Sequence, residues 1–312
     1  MNYPELKMIE RVENVSMSNL THTKTGGIVP VMFYPKNLGE LKKVVMHMKQ
    51  LQQRFEILGG MTNIAVASGN LDFIVINMSK YAYAIPKFEE ADILKVSASY
   101  EMKKLAVFAV DNDIYDLAWM EGIPGTVGAG VYMNAGFLPN EEFGQFLIDV
   151  EVLDLDTLEV RTIKNYQLGF TYRYSNLQHQ NVVILSVRLL VRQFAKSWKI
   201  GLQRTKLKKK MKKYHERRSN NQPLERPSAG TVFVPPFPYH VGWMLRELHL
   251  VGYRLGTVEI STKSPGFIVG YGDKVLGEDY YEMVQFIKRV ILEKYDIELT
   301  PEVRLLGFED RT

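Results

Sequence analysis

Cysteine is absent from the 312 residues. That one absence removes disulfides, thiolate metal sites and a thiol nucleophile, and it agrees with a reducing compartment. Long apolar runs are missing too. The longest uncharged stretch, 122–140, is broken by glycines, Pro124 and Asn134, which makes it a poor membrane span. The opening MNYPELKMIERVENVS carries charge where a signal peptide needs an apolar core. The expectation is a cytoplasmic protein with no membrane insertion. His22, His47, His179, His215, His240 and His249 share no metal-ligand spacing, so no metal is expected. Charge of one sign is scarce outside one place: the net +4 comes mostly from RTKLKKKMKKYHERR, residues 204–218. Such a run suits nucleic acid or an anionic membrane; it equally suits a solvated helix whose Leu207, Met211 and Tyr214 touch a core. No aromatic platform or zinc spacing accompanies it, which favours the solvated helix and no nucleic-acid partner.

What is present is a chain long enough for two or three compact units. Leu38, Leu41, Val44, Val45, Met48 and Leu51 recur at helical spacing. Phe55–Leu58 and Phe73–Ile76 read as strands, with GGMTN (59–63) following the first. Lys103–Val110 reads as a helix and Val150–Leu155 with Val160–Ile163 as a hairpin. Val182–Val191 reads as a buried strand. Near the C-terminus, Val241–Leu248 and the segment around Met283, Val284, Ile287, Val290 and Ile291 read as helices. Residues 252–270 read as strand, turn and strand, and Ser228-Ala229-Gly230 as a tight turn presenting Thr231.

The stretch GIPGTVGAGVYMNAG, residues 122–136, is the one around which the rest is organised. Closely spaced glycines let backbone N–H groups approach a ligand and permit positive-φ kinks that gather those groups into an anion-binding concavity. A plain glycine-rich turn is the competing reading. The spacing is neither the dinucleotide fingerprint nor a P-loop, because no Gly-Lys-Ser/Thr follows. In GFTYRYS (169–175), Arg173 points away from Tyr172 and Tyr174 if the segment is extended.

GIPGTVGAGVYMNAG resembles the flavin-binding segment of the UDP-N-acetylenolpyruvoylglucosamine reductase (MurB) family. TKTGG (23–27), GGMTN, YRYS (172–175), QPLERPSAGTVF (222–233), GYRLG (252–256) and PEVRLLG (301–307) resemble further family segments in the same order. The resemblance implies an α+β fold with a two-lobed FAD cradle of the vanillyl-alcohol-oxidase (PCMH) type and a third, substrate-binding α+β lobe. The implied lobes are 1–79, 80–201 and 202–312. It implies NADPH-dependent reduction of UDP-N-acetylglucosamine enolpyruvate to UDP-N-acetylmuramate via FAD, in peptidoglycan precursor synthesis. The implied partners are FAD, NADPH and the sugar nucleotide, and a monomer is slightly favoured. FAD would lie against Gly59, Gly60, Met61, Thr62 and Asn63 and against Gly122, Ile123, Pro124, Gly125, Thr126, Gly128 and Asn134. Arg173 takes the place of the enol-stabilising arginine, Glu302 of the family's glutamate and Thr231 of its proton-donating serine; Tyr172, Ser175 and Lys263 would meet substrate.

Thr231 is itself a departure, and others accompany it. Met61 stands for a usual glycine, Asn221 for a lysine and Gly270 for an asparagine. Ser264-Pro265 interrupts the usual K-H-A-G-F, and Val234-Pro235 replaces polar groups. These departures leave a second reading, a weak or repurposed paralogue that binds flavin or a sugar nucleotide. An oxidase of another substrate on the same cradle is a third; the absence of cysteine, and of histidine in either glycine-rich loop, speaks against a covalent flavin.

Overall fold

Residues 3–193 and 200–308 are described in a computed structural model. The chain divides into two interleaved units. The first comprises Met1–Arg11, Phe33–Gly60 and Val75–Arg218, the second Val12–Met32, Met61–Ile74 and Ser219–Thr312. Helices and sheets are mixed in both, as the α+β expectation requires.

In the first unit, helix α1 (Leu38–Gln50) follows the expected spacing and buries Leu41, Val44, Val45 and Met48. Asn37 caps it, its side-chain oxygen accepting from Glu40 N at 3.0 Å. A five-stranded antiparallel sheet runs in the order Lys87–Phe88, Ile93–Ser97, Val182–Leu190, Leu147–Asp154, Val160–Lys164. The central strand has a register shift between Ile184 and Ser186. That irregularity breaks the two-residue alternation, so Val183, Ile184 and Leu185 are buried in succession. Helices α2 (Met102–Asp111) and α3 (Val127–Tyr132) contribute Leu105, Ala109, Val127 and Val131 to the core, together with Trp119 and Phe143. Trp119 meets the Phe143 ring edge-on at 5.7 Å.

Helix α3 was not expected, because its sequence VGAGVY looks like loop. Gly128 and Gly130 serve packing there: a Cβ on Gly128 would lie 2.8 Å from Ala98 Cβ, and one on Gly130 2.4 Å from the Phe143 ring. Helix α4 (Ile200–Asn221) is the basic run. Leu207 and Tyr214 are buried in it and Met211 packs on the same core, as the solvated-helix reading expects. Among the described residues no helix is long and apolar enough to cross a membrane.

In the second unit a four-stranded antiparallel sheet runs Ser228–Thr231, Phe267–Gly270, Val258–Ile260, Arg254–Leu255. Residues 252–270 therefore supply three strands rather than the expected two, since Gly256 at φ 53° turns Arg254–Leu255 back on Val258–Ile260. Helix α5 (Val241–Glu247) buries Val241, Met244 and Leu245, and helix α6 (Gly277–Tyr295) buries Tyr280, Met283, Val284, Ile287 and Ile291. Glu278 and Asp279 sit in the first turn of α6, where the helix dipole favours negative charge. The strand Ile64–Val66 pairs in parallel with Arg304–Leu306. Two buried hydroxyls brace this pair. Thr23 Oγ1 donates to Ile64 O at 3.0 Å, and Thr25 Oγ1 accepts from Val66 N at 3.0 Å.

Candidate functional site

Within the first unit, the two glycine-rich segments press backbone to backbone. A Cβ on Gly59 would lie 2.7 Å from Thr126 Oγ1, and one on Gly60 2.9 Å from Gly125 Cα. Only glycine tolerates that approach. Gly125 takes φ 100°, and Thr126 caps α3 by accepting from Ala129 N at 3.5 Å. Among the described residues, the backbone N–H groups of Gly60, Gly125 and Thr126 have no protein acceptor. Donors without protein partners on a backbone that side chains cannot crowd fit the pyrophosphate of a dinucleotide. In the second unit, among the described residues, the N–H groups of Met61 and Thr62 likewise have no protein acceptor. Met61 sits at φ 51°, so the left-handed conformation is adopted by a residue with a Cβ.

The remaining residues expected at the cofactor take supporting positions. Gly122 packs under the Phe137 ring, 3.1 Å from where a Cβ would stand, and leads through Ile123 and Pro124 to Gly125. Asn134 is fully buried. Its Nδ2 donates to Thr171 O at 2.8 Å and its Oδ1 accepts from Gly144 N at 2.9 Å, so it ties the loop to its neighbours.

Arg173 belongs to the same unit. Its segment is not extended. Thr171 and Tyr174 bridge each other around a tight turn, and Arg173 occupies it at φ 54°. The alternation expectation is corrected accordingly: the guanidinium lies over the Tyr172 ring at 4.7 Å instead of pointing away. Arg173 donates to Asn134 O at 3.3 Å and to Gly136 O at 2.6 Å. A strained, twice-tethered arginine is a fixed cation on the organising loop. Ser175 is buried, and its hydroxyl donates to Tyr132 O at 2.7 Å, pinning the turn.

Thr231 and Glu302 meet in the second unit. Ser228–Thr231 is an edge strand and not the expected tight turn. Its ladder shifts register between Ser228 and Thr231, with Gly230 at φ 87° supplying the glycine bulge. The bulge leaves Thr231 exposed. Its neighbours are secured on both sides: Val232 N donates to Gly266 O at 3.0 Å, Val234 N to Thr300 O at 3.0 Å, and Glu302 N to Val232 O at 2.7 Å. These bonds bring Thr231 Oγ1 to 3.5 Å from Glu302 Oε2. Lys263 donates from Nζ to Ser219 O at 2.7 Å and lies 3.8 Å from Glu225.

Two departures gain a local cause. A Cβ on Gly270 would stand 2.6 Å from Val275, and Gly270 O accepts from Arg226 Nε and Nη2 at 3.0 and 2.7 Å. The Ser264-Pro265 turn is closed by Ser261, whose hydroxyl accepts from Lys263 N and Ser264 N, both at 3.2 Å. One connection was not visible in the sequence: Asn63 Nδ2 donates to Glu302 O at 2.9 Å across 239 residues.

Comparison with known proteins agrees with this geometry. A family model described as "FAD binding domain" matches residues 29–162, and one described as "UDP-N-acetylenolpyruvoylglucosamine reductase, C-terminal domain" matches 222–306. The chain is an FAD-dependent oxidoreductase by class. The UDP-N-acetylenolpyruvoylglucosamine reductase of Caldanaerobacter subterraneus is 31% identical over 94% of this chain and 93% of its own. That of Lactobacillus gasseri is 32% identical over 96% and 95%. The crystal structure of the Thermus caldophilus enzyme (MurB) matches with a TM-score of 0.75 at 25% identity, covering 96% and 98%. The chain belongs to the UDP-N-acetylenolpyruvoylglucosamine reductase family.

Proposed function

We propose that this chain reduces UDP-N-acetylglucosamine enolpyruvate to UDP-N-acetylmuramate with NADPH and FAD, in peptidoglycan precursor synthesis. The observation that carries this reading is the Thr231 hydroxyl 3.5 Å from the Glu302 carboxylate, in the two segments where the family has its proton-handling groups. FAD held by the two glycine-rich segments, once reduced by NADPH, would supply a hydride to the terminal carbon of the enolpyruvyl double bond. The π electrons of that bond then move to the adjacent carbon and its carboxylate. Arg173 serves as the cation for this charge, and its tethers spare it reorganisation during the reaction. Glu302, as an acid, stabilises the enol. Thr231 donates its proton to the carbon, and Glu302 beside it restores the hydroxyl.

In this proposal Gly59–Asn63 and 122–126 hold the cofactor pyrophosphate, with Gly128 and Asn134 shaping the second loop. Residues 1–79 and 80–201 serve FAD, and 202–312 the substrate. Tyr172 and Lys263 meet the sugar nucleotide, and Ser175 contributes through the turn that it pins. The test is NADPH oxidation by flavin-loaded protein with and without the enolpyruvyl sugar nucleotide. Stimulation by the sugar nucleotide supports the reading. Equal rates overturn it in favour of a binding paralogue, and a colourless protein that takes up no FAD overturns the cofactor assignment as well.

A further inference from the structure

The loop 59–63 ends where the strand Ile64–Val66 begins, and Asn63 is the joint. Its backbone carbonyl accepts from Arg304 N at 3.1 Å, while its side-chain Nδ2 donates to Glu302 O at 2.9 Å. Two bonds from one residue thus grip the peptide on either side of Val303. Glu302 N is taken by Val232 O at 2.7 Å. The backbone of Glu302 is therefore fixed at both its N–H and its carbonyl. The carbonyl bond lies outside the parallel ladder, which pairs Ile64 with Arg304 at its start. Val232 in turn follows Thr231, so one short chain of bonds, Asn63 to Glu302 to Val232, sets the distance between the Thr231 hydroxyl and the Glu302 carboxylate.

We propose that the Asn63 side chain positions Glu302, acting on protonation through the peptide that carries the carboxylate, while the backbone of Asn63 stays with the pyrophosphate loop. The inference rests on the reductase reading, in which Glu302 and Thr231 handle the proton. An amide donor is required. Aspartate has the same shape but is acceptor-only when ionised, so Asn63→Asp sets a carboxylate against the Glu302 carbonyl in place of a donor. Loss of the bond removes one of the holds on the Glu302 peptide, and displacement on the ångström scale can cost up to about 100-fold in rate.

The experiment is a double-mutant cycle of Asn63→Asp and Glu302→Gln, read by stopped-flow reoxidation of NADPH-reduced flavin with the enolpyruvyl sugar nucleotide. Asn63→Asp is expected to slow reoxidation by about 10- to 100-fold in the parental protein and to have almost no further effect beside Glu302→Gln. A second readout is independent of turnover. Amide hydrogen exchange in the peptide spanning 299–306 is expected to accelerate in Asn63→Asp, while peptides from α6 keep parental protection. Asn63→Ala provides the same exchange measurement without an introduced charge. Equal slowing by Asn63→Asp in both backgrounds, or parental exchange in 299–306 for both variants, overturns the positioning role. If Glu302→Gln alone leaves reoxidation at the parental rate, the reductase reading of Glu302 fails instead, and the positioning inference falls with it.

Discussion

The two halves of the proposed chemistry are built to different tolerances. Arg173, in the first unit, is held by two loop carbonyls and a ring face, in a turn that Ser175 and Gln178 brace through Tyr132 O and Arg173 O. Its position is fixed at the cost of a left-handed φ. Thr231, in the second unit, is exposed on a strand edge, and its hydroxyl reaches Glu302 only at 3.5 Å. That is the long limit of a hydrogen bond. A cation that stabilises developing charge gains by being immobile, whereas a group that gives up a proton must follow the carbon it protonates. In the proposed chemistry, the contrast sets a preorganised cation against a less constrained proton donor.

Removing the looser element gives the largest expected effect. Thr231→Ala is expected to retain FAD and its reduction by NADPH, while reoxidation by the enolpyruvyl substrate falls about 10²–10⁴-fold. Stopped-flow absorbance measures both half-reactions, and parental reoxidation would make Thr231 a purely structural residue. Next comes the rigid element. Arg173→Lys keeps the charge but cannot span two carbonyls with a planar fork, so reoxidation is expected to drop about 10²–10³-fold, close to Arg173→Ala. Full rescue by lysine would show that the tethers do not matter. A third, smaller effect concerns the bulge. A Cβ on Gly230 meets nothing within 4 Å, so Gly230→Ala isolates the strain of φ 87°. A stability loss of about 1–2 kcal/mol is expected by denaturant titration. Smallest of all is Thr231→Ser, expected to match or slightly exceed the parental rate, because it drops only a χ1-restricting methyl.

Much of this was legible in the sequence, and the reasons for the rest are specific. Pattern located α1, α2, α5, α6 and three of the five strands of the first unit's sheet; Lys87–Phe88 and Ile93–Ser97 were not read. It missed α3, because Gly128 and Gly130 there mark close packing against Ala98 and Phe143 and not a free loop. Ser228–Thr231 looked like a turn because a bulge glycine and a turn glycine have the same one-letter code. Arg173 was misdirected by assuming an extended backbone, and no local signal announces a positive φ at arginine. The roles proposed for Arg173, Thr231 and Glu302 rest on the resemblance of their segments to the family. The tethers that hold them were not readable, because each bond joins residues far apart in sequence.

The parallel pairing of Ile64–Val66 with Arg304–Leu306 also has a bearing on how the chain is made. The first unit's five-stranded sheet has all its strands once Leu190 has emerged. The ladder after the 59–63 loop instead waits for residues some 240 positions later, a loop whose closure entropy precedes any reward in contacts. Until then Asn63 Nδ2 has no Glu302 carbonyl to hold. A chain stalled before Arg304 therefore carries a finished sheet in one unit and, in the other, an unpaired strand edge open to wrong partners. The segment that carries Glu302 thus doubles as the closing stitch of the second unit.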